Sequence, residues 1–261
     1  MMHDYVKDLW GYRELLYFFA LRELKLRYRQ AAFGAAWAVI QPLLAMILFT
    51  LIFGRLAQMP SDGIPYPIFC YAGLLPWTYL SNVLGTASTS LTMNSGLIDK
   101  VYFPRMFLPV GTALAALLDF GIGLLLLVAL MFYYHVRASW ALLLLPVIIL
   151  MMFCLTIGMS LLLASLNVRY RDVKHALPFM IQLWLFATPI IYPASLIPAR
   201  FRPILALNPC WGIVDGFRAC LFPLVSFDFK LISTSMGVAL AVLLLGSYYF
   251  FKTEKTFADV I

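Results

Sequence analysis

The sequence predicts an all-α integral membrane protein: six transmembrane helices, an N-terminal amphipathic interfacial helix, and a re-entrant helical hairpin between the fifth and sixth spans. Three observations predict it. The 261 residues are 63% hydrophobic and only 12% charged, with a mean hydropathy of +0.90, whereas the surface of a soluble domain needs roughly a quarter of its residues charged. Apolar runs that can hold the roughly 20 residues of a membrane-crossing helix recur six times. Finally, Arg22 to Pro42, RELKLRYRQAAFGAAWAVIQP, joins a dense basic segment to a stretch without charge until Arg55. That is the pattern of a chain that lies on an anionic membrane surface and then crosses the bilayer. The spans are expected as helices because an open strand edge is left unpaired in lipid.

Residues 1–30 form the interfacial helix. Leu15, Leu16, Phe18, Phe19 and Leu21 supply apolar mass, and Arg22, Lys25 and Arg29 recur at i, i+3 and i+7 on one helical face. LKLRYR also alternates with period two, but a strand there would expose an edge at the membrane, which favours helix. The spans follow at Gln30–Gly54, Gly63–Ile98, Met106–Val136 with one interruption at Asp119, Ala138–Val168, His175–Ala199 and Leu231–Phe251, a six-span unit over 31–251. Residues 94–104, NSGLIDKVYFP, are long enough for two or three helical turns across the cytoplasmic face. NVRYRDVKHALP, Asn167 to Pro178, is the second cytoplasmic loop. In residues 193–229 prolines at 193, 198, 203, 209 and 223 enclose apolar pieces, Ile204–Leu207 and Cys210–Val214. These are too short to cross and too apolar for a wet loop, so they read as two short helices dipping into the outer leaflet. Residues 252–261 form a cytoplasmic tail.

Placing both termini in the cytoplasm puts thirteen of the 19 Lys and Arg inside, which fixes the orientation and explains the net charge of +7 without nucleic acid. The first apolar run, Leu15–Leu21, is short and lacks a cleavage pattern, so no cleavable signal peptide is expected. Cys70, Cys154, Cys210 and Cys220 lack metal-binding spacing and read as free thiols, with a Cys210–Cys220 disulfide as the less favoured alternative. No phosphate-binding loop, zinc-protease or nucleophile-elbow motif occurs, and His3, His135 and His175 are far apart, so no catalytic or metal-binding residue is assigned and ATP is not hydrolysed by this chain. Asp119 is the one acid deep within a span; an interhelical hydrogen bond, or placement near the wet end of the third helix, is the favoured reading over a transport role. Aromatics near span ends fit the interfacial belt. Those at Phe33, Trp37, Phe49, Trp184 and Phe186, with Tyr192, are candidates to line a passage in which sugar rings stack, packing against lipid or helices being the alternative for each.

The markers RELKLRYRQAAFGAAWAVIQP, AGLLPWTY (Ala72–Tyr79), DKVYFPR (Asp99–Arg105), NVRYRDV (Asn167–Val173), TPIIYP (Thr188–Pro193), LNP (Leu207–Pro209) and EKTFAD (Glu254–Asp259) occur in this order. Through them the chain resembles the permease subunit of ABC-2 type polysaccharide exporters, which handle O-antigen, capsular polysaccharide and teichoic acid. The resemblance covers nearly the whole chain. It implies a non-enzymatic, channel-forming homodimer in a bacterial inner membrane, joined to two copies of a separate ATPase subunit that binds ATP and magnesium, with no cofactor on this chain. It implies a lipid-linked polysaccharide, O-antigen first, as substrate. The head group would approach Arg22, Lys25, Arg27 and Arg29. The ATPase would meet a coupling helix over 94–104, with Asn94, Ile98, Asp99, Lys100, Tyr102, Phe103, Pro104 and Arg105, and the nearby Arg169, Arg171 and Asp172. The first and fifth spans of both copies would form the conduit. Alternatives are an exporter of the same superfamily carrying a drug or lipid, and a membrane enzyme, which would need a carboxylate or histidine cluster that the scattered acids do not supply.

Overall fold

A computed structural model describes residues 11–28, 36–98, 100–198, 200–254 and 257. Among them every regular element is helical. The helices are α1 (Arg13–Tyr28), α2 (Trp37–Phe49, continued by π-helical turns over Thr50–Leu56), α3 (Tyr66–Ala87), α4 (Ser90–Met93), α5 (Ser95–Ile98), α6 (Phe107–Tyr133), α7 (Leu145–Arg169, preceded by a 3-10 turn at Trp140–Leu144), α8 (Val173–Ala187), α9 (Arg202–Leu205), α10 (Pro209–Leu221) and α11 (Phe229–Thr253).

Four segments are long and apolar enough to cross a bilayer: Val39–Leu56, Phe107–Tyr133, Trp140–Arg169 and Phe229–Thr253. They coincide with the expected first, third, fourth and sixth spans. The other two expected runs each hold a helix, α3 and α8, shorter than the run and below those four in length or apolarity. The run Gly63–Ile98 is not one helix: α3 ends at Ala87 and two single turns follow. Polar residues over its last turns, Thr78, Ser81, Asn82 and Thr86, hold α3 below the apolarity of the other spans. In the run His175–Ala199 the α-helix ends at Ala187, and only a 3-10 turn at Ala194–Leu196 follows, because Pro189 and Pro193 lack the donor a helix needs and Thr188, ahead of a proline, adopts extended backbone. Helix within 94–104 is limited to Ser95–Ile98, one turn where two or three were expected, and Tyr102–Pro104 is irregular.

The bundle centres on α3, whose residues from Ile68 to Trp77 are all buried against α6, α7 and α10. The closest pairing is α7 with α11, where a Cβ built on Gly246 would overlap the Gly158 carbonyl oxygen and one on Gly158 would lie 2.6 Å from Leu243 Cα. Only hydrogen fits between these backbones, as at close helix contacts in lipid.

α1 is a helix, and it does not lie across the bundle. A Cβ on Gly111 would touch Phe19, while Arg27 and Tyr28 both reach Asp119. From Phe19 to Arg27 and from Gly111 to Asp119 the two helices advance by equal steps, so α1 runs alongside the first half of α6 in the same direction. Asp119 lies about 18 Å along α6 from Phe107 at 1.5 Å per residue.

At one end of the bundle Phe19, Leu91, Ile98, Phe103, Phe107, Leu161, Val168, Phe250 and Phe257 form a separate buried cluster. It gathers α1, both short turns, the start of α6 and the ends of α7 and α11, so the described ends of the chain lie together. At the other end Ile197, Trp211 and Leu231 pack beneath the segment between α8 and α11. Of the apolar pieces of that segment, Ile204–Leu207 is helical over its first half in α9 and Cys210–Val214 lies in α10, which is almost wholly buried.

Candidate functional site

α1 carries its basic residues on two faces. Arg22 and Lys25 are exposed. Arg27 turns toward α6 and pairs with Asp119, which also accepts from the Tyr28 hydroxyl. Burial, then the Asp119 bond, pushes the Tyr28 hydroxyl up to about 12, so it remains a donor at neutral pH. Asp119 therefore makes the interhelical bonds expected of it, and the cation it holds is one of the four basic residues singled out for the head group. These groups line a half-open cavity of about 320 Å³ with Trp37, Gln41, Thr78, Asn82 and Thr86. Arg29 and Phe33 lie outside the described residues.

Arg22 Nη1 donates to Asn94 Oδ1 at 2.8 Å, and the Asn94 carboxamide donates to the Ser90 carbonyl at 2.8 Å. The basic face of α1 is thereby tied to the first residue of the expected coupling segment, although the two are 72 positions apart. Within that segment Ile98, Phe103 and Pro104 are buried, whereas Lys100 and Tyr102 face outward together with Val101 and Met93. Asp99 lies outside the described residues. Arg105 donates through its backbone N–H to the Glu254 carboxylate at 3.1 Å and through its guanidinium to the Glu254 carbonyl. Two markers, DKVYFPR and EKTFAD, meet there. Arg169, Arg171 and Asp172 are exposed, with Arg169 against the Tyr170 ring, and both loops sit at this end because α4 packs on α7.

The aromatics do not share one environment. Trp37 and Phe186 are about half exposed. Phe49 packs against the core and Phe53. Trp184 is half-buried, stands edge-on to Trp77 at 5.8 Å and donates to Asn208 Oδ1 at 2.9 Å. Asn208 in turn donates to Thr188 Oγ1 at 2.9 Å and caps α10 through Cys210 N–H. Tyr192 donates to the Phe186 carbonyl and lines an outer cavity of about 450 Å³ with Ile197, Phe201 and Ile204. Trp184 and Tyr192 are thus fixed by hydrogen bonds, while Trp37 and Phe186 present open ring surface.

Sequence reasoning missed Arg218. It is 2% exposed. Its guanidinium stacks 3.6 Å from the Phe69 ring centroid and donates to the carbonyls of Phe69, Pro189 and Ile190. One side chain thereby ties α10 to α3 and to the TPIIYP turn. The signal available was an arginine three residues after an acid, Asp215, in a helix apolar elsewhere, PCWGIVDGFRACL. The four cysteines are free.

A profile of the ABC-2 type transporter family matches residues 14–222. Over 259 residues the chain is 31% identical to the O-antigen export system permease protein RfbA of Myxococcus xanthus, covering 98% of each chain. It is 28% identical over 252 residues to the protein of the same name in Klebsiella pneumoniae, covering 95% of each. To the polysialic acid transport protein KpsM of Escherichia coli it is 24% identical over 211 residues, 78% of this chain and 79% of that one.

Proposed function

The chain belongs to the ABC-2 type transporter family, and from that premise we propose that it is the permease subunit of an ATP-driven exporter of lipid-linked polysaccharide, O-antigen in the first place. It sits in the bacterial inner membrane with six spans and both termini cytoplasmic, α3 and α8 being the two spans beyond the apolar four. Two copies form the conduit, and two copies of a separate ATPase drive it. No cofactor is held on this chain; ATP and magnesium belong to the ATPase. The segment between α8 and α11 dips into the outer leaflet. Near-full-length similarity to two O-antigen export permeases supports the cargo. The likeness to a polysialic acid transport protein supports capsular polysaccharide as the second reading.

The observation that carries the mechanism is the Arg22–Asn94 bond. The exposed residues Met93, Lys100, Val101 and Tyr102 meet the ATPase, and ATP-driven movement of that surface passes through Asn94 to α1. Arg22 and Lys25, with Arg29, offer phosphate or an anionic lipid head group an attraction of about 1 kcal/mol each near the surface. Once the head group is engaged, movement of α1 opens the way between the first and fifth spans, where the exposed Trp37 and Phe186 rings offer stacking surface to sugars.

Solubilising the chain from its native host and identifying what co-purifies tests the assembly. An ATP-hydrolysing protein in about equal amount is the expected result; a chain that purifies alone, without ATPase activity, refutes it. Charge reversal at Arg22, Lys25 and Arg29 is expected to lower export while the ATPase still binds, and normal export by a stably expressed triple variant would sink the head-group role.

A further inference from the structure

The cytoplasmic half of α3 has one face that neither the bundle nor any aromatic accounts for. Thr78, Ser81, Asn82, Gly85, Thr86 and Thr89 recur at helical spacing, and all are exposed or half-exposed, while Leu80, Val83, Leu84 and Ala87 between them are buried. The strip runs about 16 Å at 1.5 Å per residue. Tyr79, one residue into it, donates to the Ala113 carbonyl of α6 at 3.1 Å, so the strip lies at the depth of a spanning helix.

Its surroundings form a groove. On one side Asn82 lines the cavity that α1, α2 and α6 complete. On the other, Ser81, Asn82, Gly85 and Thr89 line a cavity of about 340 Å³ with Lys174, Leu177, Pro178 and Ile181 of α8. Asn82 is common to both, so α3 is the floor and α2 and α8 are the walls. Trp77 and Trp184 meet at the outer end.

The hydroxyls are turned in one sense. Ser81 donates to the Thr78 carbonyl, Thr86 to Asn82 and Thr89 to Thr86, at 2.9–3.2 Å. With their protons used inside the helix, the oxygens present lone pairs to the groove. The Asn82 carboxamide has no hydrogen-bond partner among the described residues and offers donors and an acceptor. Hydrocarbon cannot satisfy the Asn82 carboxamide, and lipid contact would cost its desolvation.

Resting on the exporter reading, we infer that the strip Thr78–Asn82–Thr86, with Ser81 and Thr89, is the track along which the glycan's hydroxyl groups slide from the cytoplasmic side toward Trp77. A polyhydroxylated chain supplies donors to a row of acceptors, and Asn82 reads two neighbouring hydroxyls at once. Individually weak neutral hydrogen bonds suit a polymer that must move without lodging. Gly85 leaves room: a Cβ there would meet nothing within 4 Å.

The test uses the complete transporter in its native host. Deleting the chain must first abolish surface glycan; persistence of the glycan would overturn the exporter reading and the track with it. Against that background Asn82→Leu/Thr86→Val is expected to lower export about tenfold, as the loss of one or two neutral hydrogen bonds predicts, with ATPase binding unchanged. Gly85→Trp is expected to block export by filling the groove. Full export by both stably assembled variants, while deletion still abolishes it, overturns the track alone. A third arm does not depend on export: Asn82→Cys in a background of Cys70→Ala, Cys154→Ala, Cys210→Ala and Cys220→Ala. Reaction with a water-soluble thiol reagent, slowed when glycan is trapped by an ATPase unable to hydrolyse ATP, supports the track. Absence of reaction, or a disulfide joining two copies through position 82, assigns the strip to lipid or to the dimer contact and overturns it.

Discussion

Arg218 and Asp119 show two ways of holding a charge inside an apolar bundle. Arg218 spreads its cation over three carbonyls and an aromatic face. Arg218→Ala is expected to cost about 3–5 kcal/mol, since those carbonyls lose their donors in a buried site, and Arg218→Lys should recover little because a point ammonium cannot span the fork. Thermal unfolding in detergent measures both. Asp119 is simpler, one carboxylate between Arg27 and Tyr28. Asp119→Leu is expected to cost about 1–3 kcal/mol, less than a fully buried pair because both partners remain about a quarter exposed. Arg27→Met combined with Asp119→Leu should regain most of that loss; a double variant as unstable as the sum of the singles would show that the pair does not act as a pair. A lone acid within a span announced in the sequence that a partner was needed. Which cation answers it depends on how α1 docks, and local spacing carries no trace of that.

Among elements, the contact of α7 with α11 has the least room for change. Gly246→Ala puts a methyl group against the Gly158 carbonyl, and two backbones cannot step apart as a flexible side chain can. A loss of about 3 kcal/mol or more is expected, read as a fall in the monodisperse fraction on size exclusion. Gly237→Ala on the same helix meets nothing within 4 Å and should be neutral or slightly stabilising. Helices such as α6, α7 and α11 were legible because unbroken apolarity at spanning length fits a bilayer and little else. α3 was legible as a helix but not in its bounds, since the polar residues that lower its apolarity also make its exposed face. α8 was overextended because TPIIYP is apolar enough to pass for span, and only its prolines argued for a turn. By sequence Trp184 is a passage-lining candidate with helix packing as its alternative, and its indole N–H is committed to Asn208, a bond between positions 24 residues apart.

Across the whole molecule, the cluster at the Phe19 end of the bundle joins parts that the sequence keeps far apart. Phe257 packs on Phe250 with ring centroids 5.4 Å apart and is 1% exposed, in the cluster that holds Ile98 and Phe103 beneath the exposed Lys100, Val101 and Tyr102. Phe257→Ala opens a cavity whose cost, about 3–5 kcal/mol for a buried Phe, is met by release of the tail rather than unfolding of the spans. Export is then expected to fall about tenfold, equivalent to ~1.4 kcal/mol, while ATP hydrolysis by the assembled complex continues; a proportional loss of both would mean that assembly itself failed. The ordered markers foretold that these segments matter, and packing supplies the reason they travel together. The docking of α1 on α6 also sets an order of manufacture. Tyr28 leaves the ribosome 91 residues ahead of Asp119, an interval of roughly 5–20 s at ordinary synthesis rates. During that wait the newborn α1 has only a membrane surface to rest on, and its arginines would greet phospholipid phosphates well before they meet their lasting partner.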